Sequence, residues 1–140
     1  MSVQAVLDTN VVVSGLLWRA SPRQVLDAAR EQRLTLYTSS VLLDELAEVL
    51  SRPHLAAIIA ANHTTPAFLM QRYAMLAQVV TPASIRPTVP GDADDDHVLA
   101  CALAAGADWI VSGDAHLLNL KHYQGMRIID APQALRLILQ

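Results

Sequence analysis

The 140 residues carry 53% hydrophobic side chains and a formal charge of −3. That is one domain's length, with ample material for a single buried core, and the charge balance argues against general affinity for nucleic acid. No uninterrupted apolar stretch is long enough to span a bilayer, and the single cysteine, Cys101, excludes an internal disulfide and fits a reducing, cytoplasmic compartment.

Met1 leads straight into the first predicted strand, with no signal peptide. Val3 to Leu7 is a short apolar run that stops on Asp8, with turn-prone Thr9 and Asn10 behind it. Such a run suits a strand buried on both faces. Ligands of open α/β sheets bind just beyond the carboxyl ends of the strands, which puts Asp8 at the floor of a cleft. The plainer reading makes Asp8 the cap of the following helix. Val11 to Leu17 stays apolar, and Ser21-Pro22 opens a helix that reaches about Glu31. Leu34 to Tyr37 is a second strand. Thr38, Ser39 and Ser40 then cap an amphipathic helix over Val41 to Leu50. Leu42, Leu46, Val49 and Leu50 share its apolar face, with Asp44 and Glu48 predicted opposite. Glu45 falls at the border, shielded and still within reach of a cleft.

Arg52-Pro53 ends this helix, and residues 55–76 read as one or two helices broken near Thr64-Thr65-Pro66. Arg52, His54, His63 and Arg72 read as solvated surface. Val79 to Thr81 is a short predicted strand, and residues 82–91 form a proline-rich connector. Four aspartates then fall within positions 92–96: Asp92, Asp94, Asp95 and Asp96. They open a helix that closes at Gly106, where a C-cap glycine belongs. One or two acids there would complement the helix dipole; four exceed that need. Asp95 stacks over Val98, Leu99 and Ala102, the buried face. Asp96 is turned about 100° away and stands second as the inward acid. Cys101, among alanines, is a small core residue. Trp109 to Ser112 is a strand ending in Ser112-Gly113-Asp114, which repeats the opening arrangement. His116 to Leu118 starts a short helix, Met126 to Ile129 is a last strand, and Ala131 to Leu139 a closing helix. The alternation implies an α/β fold, a parallel sheet with helices on both faces.

Asp8, Glu45, Asp95 and Asp114 are thus the four acids that the topology brings together. Bare carboxylates a few ångströms apart repel, and each costs several kcal/mol to desolvate. Cations offset that charge, and hard oxygen donors without cysteine or paired histidines point to Mg²⁺ or Mn²⁺. Paired ions of this kind are the usual device for cleaving phosphodiesters. Ser112 can orient Asp114 or a phosphate. His97 and His116 are either proton carriers or solvated residues at helix starts.

The chain resembles the PIN-domain family, and most of all its VapC-like toxins of bacterial toxin–antitoxin systems. The similarity rests on Leu7-Asp8-Thr9-Asn10, Leu42-Leu43-Asp44-Glu45-Leu46, Asp92-Ala93-Asp94-Asp95-Asp96, Gly106-Ala107-Asp108, Ser112-Gly113-Asp114 and Leu117-Leu118. It covers nearly the whole chain and is weakest between Leu55 and Thr88. Counting back from Gly106-Ala107-Asp108 sets the third acid on Asp95. The resemblance implies a single three-layer α/β/α domain, metal-dependent ribonuclease activity, a homodimer, and a small antitoxin partner that inserts a basic side chain towards the acids. Metal ligation is then expected of Asp8, Glu45, Asp95, Asp96 and Asp114, with Thr9 and Asn10 as a hydrogen-bonding pair behind Asp8. Two positions depart from the pattern. Gly91 stands where relatives commonly have arginine, and His116 replaces a frequent acid, which is expected to weaken one metal site.

Two other Mg²⁺-dependent phosphotransfer classes fit less well. A receiver domain requires adjacent acids near the first strand's end and a late strand-end lysine; Asp8 is alone and Lys121 is in a loop. A haloacid-dehalogenase-type phosphatase requires an aspartate two places after the first, where this chain has Asn10. A catalytically silent module that binds RNA or a partner is the remaining alternative.

Overall fold

The structure, a computed structural model, describes residues 2–89 and 93–140; Gly91 and Asp92 lie outside the described residues. The chain enters through β1 (Val3–Leu7) and turns at once into α1 (Thr9–Leu17), followed by α2 (Ser21–Arg30) and β2 (Leu34–Thr38). Ser39 caps α3 (Ser40–Leu50), its hydroxyl accepting from the Leu42 amide. A single 3₁₀ turn at Pro53–Leu55 leads into α4 (Ala56–Ala61), and Thr65 caps α5 (Pro66–Leu76). β3 (Ala77–Val79), α6 (Ala93–Ala105), β4 (Trp109–Val111) and α7 (Ala115–Leu118) come next. β5 (His122–Tyr123), β6 (Met126–Ile129) and α8 (Ala131–Ile138) complete the chain.

The strands form one sheet in the order β3-β2-β1-β4-β6-β5. All neighbours are parallel except β5 against β6. Alternate strand residues supply two cores. Ala5, Leu7, Leu36, Trp109 and Val111 face the layer built on α1, α2, α3, α5 and α8. Val6, Ile110 and Ile128 face Val98, Leu99 and Ala102 of α6 and Leu117 of α7. This is the expected α/β fold, a mostly parallel sheet between helical layers.

Strand order reverses at β1. The chain moves outward on one side through β2 and β3, then returns across β1 to lay down β4. Crevices at such switch points, outside the carboxyl ends of the strands, are where open α/β sheets bind ligands. The register Leu7↔Val111 sets Asp8 and Ser112 side by side at that point, and the Asp8 amide bonds to the Val111 carbonyl at 2.9 Å.

Two elements differ from expectation. β3 begins at Ala77 and ends at Val79 rather than spanning Val79 to Thr81, since its partner β2 ends at Thr38, opposite Val79. β5 was not foreseen. Gln124 and Gly125 both have positive φ, 49° and 82°, so they join Tyr123 to Met126 as a two-residue hairpin of the primed kind. Gly106 fulfils its expectation at φ 61°. The Ala107 amide reaches the Ala102 carbonyl and the Gly106 amide that of Leu103, the Schellman pattern that closes a helix.

The helix–helix contact behind the sheet has one narrow point. A Cβ on Gly15 would lie 2.7 Å from Leu26 Cδ1 and 2.9 Å from the Pro22 carbonyl oxygen. Arg23 reinforces the seam by donating to the carbonyls of Gly15 and Leu16 at the end of α1. Gly15→Ala is therefore expected to cost about 1–3 kcal/mol through overpacking, read as a lower melting temperature. An unchanged melting temperature would show that α1 and α2 separate freely.

Candidate active site

Asp8 ends β1 with only 8% of its surface exposed. It stands at the N-cap position of α1, yet its side chain makes no capping bond to the helix. One oxygen instead accepts a 2.8 Å hydrogen bond from the Ser112 hydroxyl. Ser112 is fully buried, and the same hydroxyl accepts from the Asp114 amide at 2.9 Å. One serine therefore ties the carboxylate after β1 to the loop after β4. Asp114 is half-buried and caps α7, accepting from the His116 amide at 2.7 Å.

Glu45 reaches the cleft from α3. Its Oε2 accepts from the Thr9 hydroxyl at 3.2 Å, and its Oε1 lies 3.0 Å from His97 Nδ1. Burial pushes the Glu45 carboxyl above the ordinary glutamate range; the His97 bond opposes this, the Asp94 charge adds to it, and the Thr9 bond opposes it. Asp95 enters from the first turn of α6 with 4% exposure. Together Asp8, Thr9, Asn10, Glu45, Asp94, Asp95 and Asp114 line a cleft of about 230 Å³. The four acids singled out in the sequence thus share one wall-to-wall opening at the switch point.

Asp96 is not among them. Its carboxylate accepts from the amides of Thr88 and Val89 at 2.9–3.2 Å and borders an apolar groove with Pro82, Ile85 and Ala100. The structure thus places Asp96 outside the cleft that Asp8, Glu45, Asp95 and Asp114 share. The roughly 100° step from Asp95 carries it to the connector, where it pins the chain before α6.

Glu48 and Arg52 are exposed, as expected. Both line the acidic cleft, joined by a two-pronged pair with Nη2–Oε2 at 2.8 Å and Nε–Oε1 at 3.2 Å. Residues three apart on a helix lie about 60° from one another, so Glu48 follows Glu45 and does not face away. His97 and Asp94 were under-read. They are one turn apart, with His97 Nδ1 3.9 Å from Asp94 Oδ1, and that i, i+3 spacing was the available signal.

The donor set fits a divalent cation. One donor atom each from Asp95, Asp114 and His116 lie within 4.8 Å of one another, and so do those of Glu45, Asp94 and His97. Carboxylate oxygens with an occasional imidazole suit hard or borderline dications.

Comparison with known proteins agrees with this geometry. The chain matches the PIN domain over residues 4–116 and belongs to that family. Its fold is similar to the crystal structure of PAE2754 from Pyrobaculum aerophilum, with a TM-score of 0.57 at 16% identity over 99% of this chain and 98% of that one. No curated protein matches it. PIN domains are typically metal-dependent nucleases, and acidic residues cluster in this structure. Among the described residues, no helix is long and apolar enough to cross a membrane.

The raised pKa of Glu45 has a measurable consequence in metal-free buffer. A carboxyl whose folded-state pKa is raised stabilises the fold below its unfolded pKa, and that stabilisation is lost as pH rises through the folded value. Glu45→Gln is therefore expected to gain melting temperature relative to wild type as pH rises from about 4 to about 7. A gap between the two proteins that is constant with pH would contradict the burial of this carboxyl.

Proposed function

We propose that the protein is a metal-dependent endoribonuclease and the toxin of a toxin–antitoxin pair, using Mg²⁺ or Mn²⁺. The observation that carries this reading is the meeting of Asp8, Glu45, Asp95 and Asp114 in one cleft of a PIN-domain chain. On this reading Asp8, Asp95 and Asp114 hold the cation, with Glu45 beside them. A bound dication supplies charge neutralisation at the phosphate and lowers the pKa of a water.

The chain's own side chains set the geometry. Ser112 fixes the rotamer of Asp8 and the backbone of Asp114 through one hydroxyl. Thr9 and His97 hold the two oxygens of Glu45, leaving its carboxylate pointing at a fixed place on the wall. Asn10 is exposed on the lip, where its amide can meet a sugar or phosphate. Arg52 supplies a cation on the rim of an otherwise negative opening. Its pairing with Glu48 is open to exchange for a backbone phosphate, which an arginine fork matches equally well.

Partners follow from the same reading. RNA is the substrate, gripped weakly and in a salt-sensitive way because basic residues near the acids are few. An antitoxin would seat a basic side chain against the acids, a second copy of the chain would form a homodimer, and the setting is cytoplasmic.

The test combines cleavage with growth. Purified protein with Mn²⁺ or Mg²⁺ should cut members of a varied RNA pool. Asp8→Asn, Asp95→Asn and Asp114→Asn should each lose at least about 100-fold in rate. A metal ligand contributes several kcal/mol to the transition state, and about 1.4 kcal/mol is a factor of ten. Expression alone should slow a bacterial host, and Asp8→Asn should relieve it. RNA binding without cleavage under either metal would replace this reading with a silent binding module. Growth inhibition unchanged by Asp8→Asn would remove the toxin role.

A further inference from the structure

We infer that His116 supplies an imidazole nitrogen to the cation held by Asp95 and Asp114, and that this site therefore prefers a first-row transition ion such as Mn²⁺ to Mg²⁺. The inference rests on the metal-dependent reading above and concerns which ion the cleft selects. In the sequence His116 stands where an acid is frequent, and the expectation was a weakened site. The structure instead replaces one kind of donor with another.

A ring nitrogen of His116, an oxygen of Asp95 and an oxygen of Asp114 lie within 4.8 Å of one another. His116 Nδ1 is 3.8 Å from Asp114 Oδ1. Donors on one octahedral ion with bonds of about 2.1 Å stand about 3 Å apart when adjacent and about 4.2 Å apart when opposite. Bringing the three together needs movements of about an ångström or less by this comparison. The parts are suited to that division of labour. Asp95 is buried and held by α6, whereas the His116 side chain is 65% exposed. The loop beneath is anchored, since the His116 amide already bonds to Asp114 Oδ1.

Charge and softness both favour the exchange. A fourth carboxylate beside Asp8, Asp95 and Asp114 would add repulsion to an already crowded floor. An imidazole donor binds the dication through nitrogen and adds no negative charge. Mg²⁺ holds oxygen donors and gives up water reluctantly, while imidazole nitrogen binds first-row transition ions well. Selection thus comes from ligand type.

His97 is the rival nitrogen. Its Nδ1 is engaged by Glu45 at 3.0 Å, and the residue also lines the apolar groove with Val41, Pro82 and Ile85. It acts on this geometry as a positioning residue for Glu45.

Mn²⁺ is both the probe and the ligand in the test. The full chain is titrated with Mn²⁺, and binding is followed by loss of the free-ion electron paramagnetic resonance signal. Electron spin-echo modulation then reports directly bound ¹⁴N. Wild type and His97→Gln should show nitrogen modulation, and His116→Gln should lose it. Displacing bound Mn²⁺ should take at least about tenfold more Mg²⁺ in wild type than in His116→Asp. Mn²⁺ bound without nitrogen modulation, or modulation that survives His116→Gln, would overturn the inference while leaving a metal-dependent nuclease intact. Failure of wild type to bind Mn²⁺ at all would overturn both.

Discussion

Parallel pairing of β1 with β4 in the register Leu7↔Val111 leaves the next residue of each strand, Asp8 and Ser112, together at the sheet's carboxyl edge. Everything in the cleft is built outward from that pair. The Ser112 hydroxyl donates to Asp8 and accepts from the Asp114 amide, so two carboxylates from distant parts of the chain share one anchor. At the opposite end of the same strands Asp108 accepts from the Gln4 amide at 2.9 Å, which helps to hold the register. A slip of one residue would move Leu7 from one core to the other and take Asp8 away from Ser112.

Crowded carboxylates set the energetic problem. Two unit charges 4 Å apart in a partly solvated site repel by about 4 kcal/mol. A hydrogen bond to a charged group returns about 1.5–3 kcal/mol, and the donors here are Ser112 for Asp8 and Thr9 and His97 for Glu45. The two magnitudes are comparable, so the donors can hold the acids in place without leaving a surplus. A bound dication supplies the surplus. Glu45 shows the balance directly, because burial and Asp94 outweigh two hydrogen bonds and raise its pKa.

Much of this was legible from residue spacing. Asp8 and Asp114 declare themselves by ending short apolar runs, and Asp95 by stacking over Val98, Leu99 and Ala102. Glu45 was marked by its place at the edge of an apolar stripe. Other placements have local physical causes that spacing does not show. Asp96 belongs to the same acidic run as Asp95, but its partners are the amides of Thr88 and Val89, which no helical projection shows. Glu48 opposes the apolar stripe and is exposed, as expected. The cleft, however, is reached along the polar edge of α3 and includes it. β5 escaped notice because a two-residue strand has no periodicity, and its turn uses Gln124-Gly125 where Asn-Gly is the familiar signal. The contact of His97 with Glu45 joins residues 52 positions apart, a pairing that only the folded sheet creates.

The central claim is that these acids are held together for a cation, and thermal unfolding tests it without needing the right RNA. Wild type, Asp95→Asn and Asp44→Asn are melted with chelator and again with excess Mn²⁺; Asp44 is exposed on α3 and serves as the control. With Mn²⁺ at a hundred times its dissociation constant, wild type and Asp44→Asn should gain about 2.7 kcal/mol, a rise of several degrees. Asp95→Asn should gain little, and without metal it should be at least as stable as wild type because one crowded charge is gone. An equal rise in all three proteins, or none in any, would contradict the account.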